Sequence, residues 1–232
     1  MLASRFPLPM RIAIIMPTLD EEAAISQHVA DARQVADQLI VSDGGSQDKT
    51  RDLAHREGAE VVVGPCGRGP QLNLGAKAAE AEVLVFLHAD TRLPRSAAEL
   101  IRHAVRNQAV GGGFLLRFDS DQKRFKFAAK LINWRTRFSR LPLGDQAQFV
   151  SRSAFETLGG FQKWPILEDL DFARRLKKQG KTVILEDPVV TSARRYQQGG
   201  LIRTTARNWT IWLLFCLGVS PHRLSRLYRR AP

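Results

Sequence analysis

Cysteine is scarce in this chain of 232 residues: Cys66 and Cys216 are the only two. That excludes a disulfide framework and a cysteine-built metal cluster, and makes a reducing, intracellular setting the expectation. Long apolar runs are lacking as well. The most apolar stretch, Trp209 to Val219, falls far short of the roughly 20 residues that cross a bilayer, so no transmembrane helix is expected. The opening MLASRFPLPM has two prolines and no continuous apolar segment, so residues 1–10 read as a lead-in rather than a secretory signal. Glycine is missing from MPTLDEE, where a nucleotidyltransferase would carry a Gly-rich phosphate loop after its first strand. Acidic residues are absent from Arg194 to Pro232, a segment that carries eight arginines.

What is present fits one large α/β domain, since 44% hydrophobic residues suffice for a sizeable core. The 35 Lys and Arg against 23 Asp and Glu leave a net charge of +12, which favours anionic partners without deciding the fold. Ile12 to Met16 is apolar throughout, as a strand covered on both faces would be. Glu21 to Gln38 then places Ile25, Val29, Ala32 and Ala36 at helical spacing. Leu39 to Ser42, Val61 to Val63 and Val83 to Leu87 read as further strands, with helices capped at Ser46 and running from Gly69 to Ala81 between them. Such a series predicts a Rossmann-like, mostly parallel open sheet flanked by helices, with ligands beyond the carboxyl ends of the strands.

Those strand ends are acidic: Asp20, Glu21 and Glu22 follow the first, Asp43 and Asp48 the second, Asp90 the fourth. Each could serve a helix N-terminus. Together, in a basic chain, they point to a divalent cation (Mn²⁺ or Mg²⁺) and a phosphate-bearing ligand.

The motifs IIMPTLDEE, VSDGGSQDKT and RGPQLNLGAKAA resemble the inverting family 2 glycosyltransferases, which have the GT-A fold, and the likeness runs from about residue 11 to about 196. The resemblance implies a nucleoside-diphosphate sugar donor, UDP- or GDP-linked, and an acceptor hydroxyl. It implies nucleotide contacts from Pro17, Thr18, Glu21, Asp43, Arg68 and Asn73, with Asp43 against the base. Where the family carries Asp-x-Asp, this chain reads His88-Ala89-Asp90, so Asp90 inherits the metal-ligand role while His88 is either its partner or a strand-end residue.

The second half carries the acceptor side. Phe125, Ala128, Ala129, Ile132 and Phe138 form an apolar stripe on a basic helix beginning near Asp121. Gly144-Asp145-Gln146 resembles a GDQ element of small bacterial family members and, with Trp164, is expected to contact acceptor or sugar. GGFQKWPILEDLDF resembles the Gly-Gly-Phe turn followed by an acidic pair, which makes Asp169 the expected catalytic base and Glu168 its neighbour in catalysis. Helical spacing puts Asp169 with Phe172, Ala173 and Leu176 on a packed face, and Asp171 near Arg174 and Arg175 in solvent. Thr191 to Tyr196 resembles the family's Arg-Arg-Trp element with Tyr in place of Trp, which implies that Arg194 and Arg195 meet the diphosphate.

Residues 11–199 therefore read as a GT-A glycosyltransferase domain and 200–232 as a basic, aromatic helical extension suited to packing or to an anionic membrane surface. A cytoplasmic location, with peripheral contact to the inner membrane face as an option, follows. Two other classes stay open: a nucleotidyltransferase of similar sheet architecture, and a noncatalytic protein that binds anionic surfaces. No nucleic-acid partner is expected, because such binding does not require carboxylates at strand ends.

Overall fold

The computed structural model describes residues 10–229, without the side chains of Arg195, Gln198, Ile202, Tyr228 and Arg229. Most of the expected lead-in and the last three residues lie outside it. The first half alternates β1 (Ile12–Thr18), α1 (Ile25–Arg33), β2 (Gln38–Asp43), α2 (Thr50–Arg56), β3 (Glu60–Val63), α3 (Arg68–Ala78) and β4 (Val83–Phe86). Then come β5 (Thr91–Arg92), α4 (Ala97–Arg106), β6 (Gly111–Phe118), α5 (Lys123–Ser139), a 3₁₀ turn (Gly144–Gln146), β7 (Gln148–Ser151) and α6 (Arg152–Leu158). The chain closes with α7 (Glu168–Gln179), β8 (Thr182–Thr191), α8 (Arg194–Gly199), α9 (Leu201–Cys216) and α10 (Pro221–Arg229).

One eight-stranded sheet results, in the order β3-β2-β1-β4-β7-β6-β8-β5. β1 through β4 pair in parallel, β7 runs against both β4 and β6, β8 is parallel to β6, and the two-residue β5 is antiparallel to β8. Six strands thus point one way and end at one edge. The pleat divides β1 between two cores: Ile12, Ile14 and Met16 pack with α1 and α4 on one side, Ala13 and Ile15 with α3 on the other. Burial on both faces is what an uninterrupted apolar strand requires.

Two helices of the first half begin later than the sequence suggests, each for a local polar reason. α1 begins at Ile25 rather than Glu21, because the backbone N–H groups of Glu21 and Glu22 donate across to Thr50 Oγ1 (2.7 Å) and Asp48 Oδ2 (3.1 Å). α2 begins at Thr50, since Ser46 is held by Asp43 rather than capping a helix. On α5 the buried stripe runs Phe125, Ala128, Ala129, Ile132 and then Arg135 and Thr136. Phe138, expected in that stripe, is 83% exposed, because the position six residues after Ile132 has turned away from its face.

Candidate active site

Topology brings four loops together at the common edge. The register Phe86 opposite Gln148 sets the Gly144–Gln146 turn beside the end of β4, and Thr91 opposite Thr191 sets the end of β8 there too. Asp90 is tied into this corner by Ser192 N donating to its carbonyl (3.1 Å) and by Thr91 Oγ1 at 3.3 Å from Oδ1. A cavity of about 400 Å³ opens here, and its wall includes Arg68, His88, Asp90, Asp145, Glu168 and Asp169.

The acidic pair at the start of α7 is fixed from below. Phe86, Phe155, Phe161 and Phe172 form one aromatic cluster, with Phe161 stacked on Phe172 at 4.4 Å. Asn73 clamps the Gly-Gly-Phe turn by accepting from Phe161 N and donating to Phe161 O, both at 2.9 Å. A Cβ on Gly69 would come within 2.5 Å of Gln162 O, so that approach of α3 to the turn requires glycine. Arg175 donates to Leu158 O and Gly160 O, each at 2.8 Å, while Asp171 holds it at 2.7 Å. The Asp171 pair is therefore a part-buried clamp on the loop and not the solvent pair that spacing suggested. Leu167, directly before the acids, has φ of +66°, a left-handed conformation costly for a branched side chain and held by its surroundings.

Spacing led to Asp169 as the buried acid, whereas the structure buries its neighbour. Glu168 is 2% exposed and lies 3.3 Å from Arg68, while Asp169 is half-buried on the cavity wall. Asp169 Oδ2 accepts from Gly144 N and Oδ1 from Leu170 N, both at 2.7 Å, so each oxygen retains a lone pair for a substrate hydroxyl. Gly144 separates Asp169 from His88: a Cβ there would sit 2.5 Å from His88 Nε2 and 3.1 Å from Asp169 Oδ2.

Burial raises the Glu168 carboxyl above its ordinary 4.5, the Asp169 charge adds to that, and Arg68 opposes it. A carboxyl raised in the fold holds more proton folded than unfolded, so it destabilises the fold increasingly as pH climbs from the unfolded value through the folded one. Glu168→Gln is therefore expected to be more stable than the parent in urea at neutral pH, with the difference vanishing below 4.5. A gap that persists in acid would show that packing, not ionisation, sets it.

Other expected site residues make hydrogen bonds or packing contacts within the fold. Asp43 is fully enclosed: Oδ1 accepts from Gly45 N (3.0 Å) and Ser46 N (2.8 Å), and Oδ2 from Thr18 Oγ1 (3.3 Å) and Ser46 Oγ. The β1 and β2 loops are laced further by Ser46 Oγ accepting from Asp20 N and by Gln47 N donating to Asp20 Oδ1. Asp43→Ala would strand two backbone N–H groups and should cost about 2–4 kcal/mol. A lower urea midpoint checks this; an unchanged midpoint would show that the network opens freely.

Pro17, Thr18 and Glu21 sit at this laced edge, beside the cavity rather than on its wall. Gln146 is fully buried, donating to Phe114 O and accepting from Thr136 Oγ1 and Leu143 N. Trp164 packs edge-on against Phe215 at 5.8 Å and lines a separate recess. Arg194 is exposed at the start of α8, and the side chain of Arg195 lies outside the described residues.

Sequence reasoning missed three contributors. Gln71 donates to Thr18 O and Ser42 O, both at 2.8 Å, stitching β1 to β2 under the cavity edge. Thr205, Asn208, Trp209 and Trp212 of α9 form part of the cavity wall; their i, i+3, i+4, i+7 spacing was the available signal. Arg135 belongs to the basic helix that begins near Asp121, yet it is 7% exposed and lines the cavity. Burial weakens its charged form, with Asp145, Tyr196 and Asp169 opposing that.

The open, mostly parallel α/β sheet carries its acids at the strand ends, where sheets of this kind bind ligands, beside an arginine-flanked cavity. The chain belongs to glycosyl transferase family 2, whose family model matches residues 13–159. It is 32% identical over 99 residues to an uncharacterized glycosyltransferase of Mycobacterium tuberculosis, a match covering 40% of this chain and 45% of that protein. The chain spans less than half the length of the curated relatives it matches.

Among solved structures it resembles glucosyl-3-phosphoglycerate synthase from Mycobacterium tuberculosis in complex with Mn²⁺, UDP and glucosyl-3-phosphoglycerate. The TM-score is 0.62, with 20% identity over 91% of this chain and 81% of that one. It also resembles the mannosyltransferase PcManGT from Pyrobaculum calidifontis in complex with GDP-Man and Mn²⁺. There the TM-score is 0.56, with 18% identity over 80% of this chain and 57% of that one. These likenesses establish the fold.

Proposed function

We propose that this protein transfers a sugar from a UDP- or GDP-linked donor to an acceptor hydroxyl with inversion at the sugar carbon. The observation that carries the reading is Asp169, a carboxylate held by two backbone N–H groups on the wall of a cavity whose corner is Asp90. Asp169 takes the proton of the acceptor hydroxyl, and the freed oxygen attacks the sugar carbon from the face opposite the diphosphate. The bond from that carbon to the diphosphate breaks, and the nucleoside diphosphate leaves with the electron pair. Arg68, held by Glu168, lies on the same wall and supplies positive charge near the leaving group. The related structures named above hold UDP or GDP-Man with Mn²⁺, which supports a nucleotide-sugar donor.

A divalent cation fits Asp90. Among the described residues no group of three His, Cys, Asp or Glu converges to hold a metal by itself. A single carboxylate beside a ligand-sized cavity suits a hard cation that completes its shell from substrate oxygens. When bound, it would neutralise charge accumulating on the departing diphosphate. Calorimetry of UDP and GDP binding, with and without Mn²⁺, tests the donor reading. Binding strengthened by Mn²⁺ is expected, and indifference to both nucleotides would overturn it.

The loop after β1 argues against the nucleotidyltransferase alternative, being filled by carboxylates laced to the β2 loop. For membrane contact the structure favours α5 over the C-terminal extension. No helix among the described residues is long and apolar enough to cross a membrane. The extension spends the inner face of α9 on the cavity, whereas α5 exposes Phe127, Leu131, Trp134 and Phe138 along one stripe. Lys123, Arg124, Lys126, Lys130 and Arg137 flank that stripe, and α5 holds no acidic residue. An apolar ridge with basic margins fits an anionic bilayer surface. The parent should sediment with vesicles containing phosphatidylglycerol, less so in high salt, and Trp134→Ser with Phe138→Ser should abolish this. Loss of a dimer in that variant, without vesicle binding by the parent, would assign the ridge to a second copy.

A further inference from the structure

We infer that the cavity holds an oxyanion subsite, built by Arg135 beneath α9, which selects an acceptor carrying a carboxylate or phosphate as well as the reacting hydroxyl. This rests on the sugar-transfer reading and specifies the acceptor's chemistry. Among the described residues, three buried hydrogen-bond donors of cavity-wall residues have no partner: Arg135 Nε, Thr205 Oγ1 and Trp212 Nε1. They come from two helices, α5 and α9, that pack together. Nitrogen-bound hydrogens and a hydroxyl on residues of one cavity wall put unused donors beside its carboxylates, and the ligand that satisfies those donors is an acceptor of hydrogen bonds.

Arg135 supplies the charge. The residue is 7% exposed, its one side-chain hydrogen bond is a long 3.4 Å contact to Thr136 Oγ1, and no described carboxylate approaches within 4.0 Å. A buried guanidinium lacking a counter-ion is costly, and its planar fork matches the paired oxygens of a carboxylate or phosphate. The acids nearest in its field do not fill that role: Asp169 already accepts from Gly144 N and Leu170 N, and Asp145 acts on Arg135 only through space. Arg135 and Asp169 line the same cavity, whereas Asp43 is enclosed at the β1 and β2 edge and is not on its wall. An acceptor anchored at Arg135 by its oxyanion would present its hydroxyl to Asp169. The anchor takes no part in the bond changes; it fixes the orientation from which Asp169 removes the proton.

The test uses the full chain saturated with UDP and Mn²⁺, so that the diphosphate's place is filled, and titrated with inorganic phosphate, glycerate or uncharged glycerol while stability is followed by thermal shift. Phosphate or glycerate should raise the melting temperature and glycerol should not, the stronger of the two anions showing which oxyanion fits. Arg135→Gln should weaken that anion roughly tenfold to a hundredfold with UDP affinity unchanged. Trp212→Phe removes a single donor while keeping the ring's bulk, and should weaken the anion severalfold even if Arg135→Gln folds poorly. Anion binding that survives both substitutions, or a parent no more responsive to the anions than to glycerol, would overturn the inference. A parent that binds UDP but neither anion leaves the donor reading standing, whereas a parent that binds no UDP defeats the reading beneath it. A fall in UDP affinity on Arg135→Gln would assign Arg135 to the diphosphate instead.

Discussion

Replacing Asp169 by Asn is expected to lower sugar transfer by about 10²–10⁴-fold, or about 3–5 kcal/mol of transition-state stabilisation, while donor affinity changes little. The size follows from the role proposed for Asp169, that of accepting the hydroxyl proton. The geometry adds a refinement. Both Asp169 oxygens accept backbone N–H groups, and an amide has only one oxygen, so Asn can keep the bond to Gly144 or to Leu170 but not both. A modest loss of stability should therefore accompany the loss of rate, and an unfolding curve measured beside the kinetics separates the two. Turnover within about threefold of the parent would remove Asp169 from the base role.

The second large effect concerns Asp90. Asp90→Ala should uncouple the cation from the nucleotide: UDP or GDP should still bind, but Mn²⁺ should no longer strengthen that binding. The loss should be severe because Asp90 is the one carboxylate at the end of β4, its neighbour two residues earlier being His88. Imidazole is a poor ligand for Mg²⁺ and an acceptable one for Mn²⁺, so any residual coupling should be larger with Mn²⁺. Calorimetry reads both directly. An undiminished Mn²⁺ effect in the variant would place the cation elsewhere.

The first half of the fold was legible because its signals are local. An uninterrupted apolar strand such as Ile12 to Met16 can only be buried on both faces, and turn residues such as Asp43-Gly44-Gly45 mark where it must end. The order of the sheet's second half was not legible, since β7 inserting antiparallel between β4 and β6 is a long-range pairing with no mark in its own residues.

The site shows the same division. Asp90, Arg68, Glu168 and Asp169 were named from sequence and do share one cavity. Which acid is buried was misread, because helical spacing gives a direction relative to α7 but not the turn geometry before it, where Leu167 swings Glu168 inward. Asn73 and Gln146 were expected at ligands, and the structure spends their amides on the backbone of Phe161 and Phe114. A side chain that will satisfy a distant backbone group looks, in sequence, the same as one that will meet a substrate. Arg135 is the converse case: it occupies the position after Ile132 on the buried face of α5, a place apolar patterning gives no reason to examine for charge.

The cavity is expected to use a nucleoside-diphosphate sugar. Release of UDP from UDP-glucose and of GDP from GDP-mannose, followed with Mn²⁺ present for the parent and for Asp90→Ala side by side, tests it most directly. Slow release of at least one nucleoside diphosphate by the parent, lost in Asp90→Ala and accelerated when an oxyanion-bearing hydroxyl compound is added, is the predicted result. Equal release by parent and variant, or none by the parent from either donor with or without acceptor, would contradict it.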